Sequence, residues 1–213
     1  MTDIPHFTKD TLVFLNALKA NNTRDWFGAH KQDYEGYVKA PAAAFADQMT
    51  AALGDLTGHS YASKVYRIHR DIRFSKDKTP YKLNIHMSFS PGGKAPSWMF
   101  GLGIDKLSLG VGVWAYEGDD LEAFRQRILG AEGPKIAAVL SQLRADGSRL
   151  SDPALKRVPN GYDKAHPHAD LLRYKGLAGW RDYPTSFATD PALVARVTNE
   201  FKRLRPLFDL LAP

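Results

Sequence analysis

Between Lys64 and Lys82 the chain reads KVYRIHRDIRFSKDKTPYK, a window with seven Lys or Arg and two Asp. Those residue types at that density recognise anions. The guanidinium of Arg73 can offer two parallel bonds to a phosphate or carboxylate, while Lys76, Lys78 and Lys82 act as point charges. Ser75 adds a hydroxyl donor, and Asp71 or Asp77 can orient an arginine or accept a proton. With Arg67, Arg70 and Tyr81 these form the candidate ligand-binding set, and the spacing assigns no catalytic residue. In the leading reading Arg73 and Lys82 clamp the anion, with Asp71 as orienter or base.

Alternation from Val65 to Ile72 predicts a strand, which puts Arg67, His69, Asp71 and Arg73 on one face and Tyr66, Ile68, Arg70, Ile72 and Phe74 on the other. Arg70 is then anomalous among apolar neighbours, because a buried guanidinium needs a carboxylate or carbonyl partner. Three roles fit such a cluster: a structural ion-pair network with Arg70 and Asp71 as buried partners, an anion site, or a catalytic centre.

Other signals are weaker. His166 and His168, with His69, His86 and Asp71, lack zinc-enzyme spacing, so no metal or cofactor is expected. Gly101, Gly103, Gly110 and Gly112 complete neither GxGxxG nor GxxxxGK[ST] and read as strand glycines that clear one stripe of a sheet. No GxSxG elbow is present. Trp26, Trp98, Trp114 and Trp180 read as core, with Trp98 or Trp114 eligible for a site only if exposed.

The elements that must position the cassette follow from periodicity. Thr8 starts a helix with Leu12, Phe14, Leu15 and Leu18 on its apolar stripe, Phe7 able to staple against Leu12, and an end at Asn21-Asn22. Thr23 caps a second helix through Trp26, Phe27, Tyr34 and Tyr37. Pro41 opens a third, which ends near Gly54. Four strands are predicted, at 65–72, 84–90, 98–104 and 107–114, the last two joined through Asp105-Lys106. On the second, Asn84, His86, Ser88 and Ser90 oppose Ile85, Met87 and Phe89. Helices follow at 119–129, 134–145, 168–174 and 191–210. A strand block between helices argues for an α+β fold: an antiparallel sheet of about four or more strands, in one domain spanning 1–213.

Bulk composition narrows the function classes. The 213 residues carry 29 Lys or Arg and 23 Asp or Glu, and the window above holds five of the six net positive charges. Local charge of this kind attracts anions more strongly than a uniform surface does. Zero cysteines exclude disulfides, thiolate catalysis and cysteine-ligated metals. No apolar run reaches the ~18 residues of a membrane span, and the N-terminus lacks a leader pattern. A soluble, cytoplasmic protein without membrane contact is therefore expected. Its partner is an anionic small molecule or, as the alternative, nucleic acid.

The stretch Arg67 to Lys82, RIHRDIRFSKDKTPYK, resembles the signature of the bacterial and fungal family catalogued as domain of unknown function 2461. Phe14-Leu15 with Asn21 to Phe27, Arg157 to Asp163, His166-Pro167 and Leu171 to Gly176 are similar to that family's remaining motifs, so the resemblance spans nearly the whole chain. It implies one structural plan in which Arg173 and Lys175 extend the cationic surface. His168 lies outside that signature. The resemblance implies no reaction or ligand.

Overall fold

The computed structural model describes residues 6–93 and 95–212. The start of the N-terminal segment read for a leader pattern lies outside them. Six antiparallel strands form one sheet, with helices before and after them in the chain, so the fold is α+β. The strands are β1 (Ala62–Val65), β2 (Asn84–Ser90), β3 (Ser97–Gly103), β4 (Leu107–Val113), β5 (Arg149–Leu150) and β6 (Leu177–Tyr183), in the order β1-β2-β3-β4-β6-β5. Helices are α1 (Lys9–Ala20), α2 (Arg24–Ala29), α3 (Lys31–Tyr34), α4 (Ala40–Thr57), α5 (Gly118–Leu129), α6 (Gly133–Ala145) and α7 (Leu193–Leu211). Contacts group these into two compact units: Met1–Gly92, Met99–Leu109 and Asp182–Glu200, and Gly93–Trp98, Gly110–Arg181 and Phe201–Pro213.

In the first unit α1 buries Thr11, Phe14, Leu15 and Leu18, the i, i+3, i+4, i+7 pattern of a helix facing a core; of the predicted stripe Leu12 is only half-buried, and Thr11 takes its place. Phe7 is fully buried, with its ring 5.9 Å from Phe45 and 5.7 Å from Phe100. Thr23 caps α2 as expected, its hydroxyl accepting from the Trp26 N–H at 3.3 Å. The second predicted helix is interrupted at His30 and resumes as α3. One π turn, Glu35–Lys39, then leads into α4, where Pro41 occupies the first turn. Thr11 stabilises that π turn by donating its hydroxyl to the Tyr37 carbonyl at 2.6 Å. In the second unit Trp98, fully buried, has ring contacts to Phe201 at 4.8 Å and Phe208 at 5.0 Å.

The expected strand 65–72 is corrected: β1 ends at Val65. The Tyr66 N–H still donates to the His86 carbonyl at 2.9 Å, but the chain then folds back on itself. Arg70 N–H donates to the Pro80 carbonyl and Lys82 N–H to the Ile68 carbonyl, both at 2.8 Å, around a bridge between His69 and Tyr81. Only Ile68 of the supposed apolar face is buried, while Phe74 is 95% exposed. The alternation misled because one residue anchors the loop and another stands off it, so the predicted shared face of Arg67, His69, Asp71 and Arg73 does not form. Sequence reading also missed β6, whose first three residues are all buried and therefore do not alternate.

Asn22 fixes the base of this loop. Its side-chain amide donates to the Tyr81 carbonyl at 3.0 Å and accepts from the Tyr81 N–H at 3.1 Å, while the Phe27 ring stacks on Tyr81 at 4.0 Å. Asn22→Ala removes both bonds and leaves two backbone groups of a buried residue unpaired, an expected loss of about 2 kcal/mol. Urea unfolding measures this, with Asn22→Asp, which keeps only the acceptor, expected between Ala and wild type.

Candidate functional site

Residues 66–82 make a loop bound largely to itself. Arg70 donates to Asp77 and to the Thr79 hydroxyl, and its second amino group reaches the Ser75 hydroxyl at 3.3 Å. Asp77 in turn accepts from the Thr79 N–H at 2.9 Å. Arg73 grips Asp71 through Nε at 2.9 Å and Nη2 at 2.6 Å. Lys78 donates to the Ile72 carbonyl at 3.0 Å and Lys82 to the Arg67 carbonyl at 3.1 Å. Lys64 lies over the Tyr66 ring at 4.9 Å.

This pairing corrects the buried-partner reading. Arg70 takes Asp77 rather than Asp71, and neither pair is buried: the Arg70 side chain is 25% exposed and those of Asp71, Arg73 and Asp77 more so. The fold-back of the loop brings Asp77 to Arg70, whereas adjacent residues such as Arg70 and Asp71 point apart along an extended chain. Of the candidate residues, Arg70, Ser75 and Asp77 converge, as do Asp71 and Arg73, whereas Tyr81 belongs to the base. Among the described residues, the side chains of Arg67 and Lys76 have neither a hydrogen-bond nor an ion-pair partner, although the Arg67 carbonyl accepts from Lys82.

Arg67 instead borders a cleft of about 430 Å³ against the N-terminal helices. Phe27, Tyr34, Val65 and Ala43 form its apolar walls, and Lys31, Lys39, Arg67 and His69 bring positive or protonatable groups to it. Glu35 also lines it and is paired with Lys39 at 2.8 Å, which leaves Lys31 and Arg67 as the unpaired cations. Burial, and secondarily the Glu35 charge, push the Tyr34 phenol upward, so it stays protonated as a donor. Lys31, Tyr34 and Lys39 were missed in the sequence. The signal was their recurrence with Glu35 at helical spacing, obscured by the interruption at His30.

The glycine stripe is not an open floor. A Cβ on Gly101 would come within 3.0 Å of the His86 ring, and one on Gly110 within 2.3 Å of the Trp180 indole. Neighbouring-strand rings thus fill two of the cleared positions, while Gly112 is closed by Leu177 and Ala178 and Gly103 faces the Lys106 carbonyl. Burial and the Lys82 charge depress the His86 imidazole below its ordinary range. Of the tryptophans, Trp98 is core and Trp114 is 72% exposed. Among the described residues no three His, Asp or Glu side chains are grouped to hold a metal ion, and no helix is long and apolar enough to cross a membrane. Arg173 is committed locally, to the Leu155 carbonyl at 3.0 Å and to Asp170 at 3.2 Å.

A family model described as "Conserved hypothetical protein (DUF2461)" matches residues 10–210, and the chain belongs to that family. No curated protein matches it.

The Asp77 carboxyl is lowered to about 2, first by the Thr79 N–H and then by the Arg70 guanidinium. Because the folded value lies below the ordinary 3.8, the stabilisation is present above that value and is lost as pH falls towards 2. A carboxyl NMR titration should therefore find Asp77 near the bottom of the range. In Arg70→Ala it should rise yet stay below 3.8, since the Thr79 N–H remains.

Proposed function

We propose that this member of the DUF2461 family binds a small anionic molecule in the cleft between the N-terminal helices and the basic loop. One observation carries the reading: Arg67 is the loop arginine that lines the cleft, and its guanidinium donors are not engaged by any described residue. A guanidinium with its fork open can take a carboxylate or phosphate in two parallel bonds. Lys31 and His69 supply further contacts, and the Tyr34 hydroxyl a neutral donor. At about 430 Å³ the cleft suits a metabolite-sized ligand. Its Phe27, Val65 and Ala43 walls favour one with an apolar or planar part beside the anionic group.

In this reading most of the sequence-derived set acts as frame. Arg70, Asp71, Arg73, Ser75 and Tyr81 hold the loop's shape, Lys78 and Lys82 secure it through carbonyls, and Lys76 adds field. Their charge still raises the local concentration of anions. A purely structural cassette is the competing reading, supported by the same internal ion pairs.

Thermal unfolding against phosphate-bearing metabolites, carboxylates, nucleotides and short oligonucleotides separates them. A ligand at a hundredfold its Kd stabilises the fold by about 2.7 kcal/mol. The expected result is a shift with one small anion that is lost in Arg67→Ala and retained in Arg73→Ala. A shift with every oligonucleotide that collapses with salt would instead indicate nucleic acid. Silence across the panel would favour the structural network.

A further inference from the structure

Phe74 stands in water at the tip of the loop, yet the loop beneath it is not loose. Arg70 ties Ser75, Asp77 and Thr79 together, and Lys78 holds the Ile72 carbonyl at 3.0 Å. A slack loop could fold a phenyl ring back against the body to bury it. This one holds the ring out, against the hydrophobic effect, with Lys76 and Lys78 close by in the chain.

The same compact unit carries a second feature with exposed apolar surface. A groove of about 440 Å³ runs along α1, α2, α3 and the π turn, lined by Val13, Phe14, Trp26 and Tyr37 with Asp10, Asp33 and His30. Val13 is 65% exposed. No Lys or Arg lines the groove, although the chain as a whole is strongly basic. Asp10 and Asp33 have no ion-pair partner among the described residues.

We propose that Phe74 of one copy of this chain seats in the Trp26–Tyr37 groove of a second copy, with Lys76 and Lys78 against Asp10 and Asp33. Apolar tip meets apolar groove, and cation meets unpaired carboxylate. Other occupants answer only half of the anomaly. A small organic cation would fill the groove and leave Phe74 in water, whereas an anionic membrane would take Phe74 and leave the groove open. A second copy covers both, and is present at equal concentration by definition. One such contact joins two copies head to tail, and a reciprocal pair would close a twofold dimer. The contact is small, so affinity on the order of 100 μM is expected.

Sedimentation velocity on the full chain from about 10 μM to about 1 mM brackets that affinity. Wild type should associate with rising concentration. Phe74→Ser and Val13→Arg alter exposed positions, so each should keep its circular dichroism spectrum and thermal midpoint while remaining monomeric. Because the first variant retains the groove and the second retains the tip, an equimolar mixture should form a one-to-one pair that neither forms alone. Arg67→Ala should associate like wild type, which keeps this contact separate from the anion cleft. A monomeric wild type over the whole range, association that survives either substitution, or a mixture no more associated than its components would each overturn the proposal.

Discussion

The two backbone groups of Tyr81 that face Asn22 are the hinge on which the candidate site depends. A peptide N–H and C=O buried without partners would cost more than the loop could recover elsewhere. The Asn22 amide, itself a peptide group in shape, satisfies both at 3.1 Å and 3.0 Å. It does so from the turn between α1 and α2, so one residue fixes the spacing of the helical arm and the basic loop. Phe27, one turn further along, then stacks on Tyr81 and lies 6.2 Å from the His69 ring. The cleft walls follow from this: Phe27, Lys31 and Tyr34 come from the arm, and Val65 to His69 from the chain that Tyr81 closes.

Charge in the loop divides between holding and attracting. Ion pairing of Arg70 with Asp77 and of Arg73 with Asp71 consumes directional donors and fixes two arginines in place. Lys78 and Lys82 donate to carbonyls, which directs their side chains without neutralising them. The net positive charge of the window therefore survives folding, but the groups free to make a new directed bond are fewer than the composition implies. The Arg67 guanidinium, unengaged by any described residue, is for that reason the centre of the proposed site.

Much of the fold was legible because it is local. The α1 stripe, the Thr23 cap, the entry of α4 at Pro41 and the alternation of β2 all repeat within a few residues. The boundary of β1 was not, because what ends the strand is the return of Pro80 to Lys82 onto Ile68 to Arg70. Nor was the partner of Arg70: Asp71 and Asp77 are equally available in the sequence, and only the turn through Ser75 brings the second into reach. The Asn22 clamp spans 59 positions and has no local signature. The anion-binding residue types were visible, while the wall they face, on the helical arm, was hidden by a break in helical period at His30.

Beyond that break, ordinary helical spacing gives the arm two chemically distinct sides, and a π turn follows. A π turn inserts one residue into the helix, so everything beyond it is rotated by about 100° relative to a continuous α-helix. Lys31, Tyr34, Glu35 and Lys39, at helical spacing, line the cleft with Arg67, while Asp33 and Tyr37, four apart on the opposite side, line the groove with Asp10 and Trp26. An insertion of this kind loosens the regular i to i−4 ladder, and here the Thr11 hydroxyl, also accepting from the Thr8 N–H at 3.2 Å, binds the Tyr37 carbonyl. The buried threonine of α1 thus has a role that its place in an apolar stripe does not suggest. It secures the π turn through which the arm passes into α4.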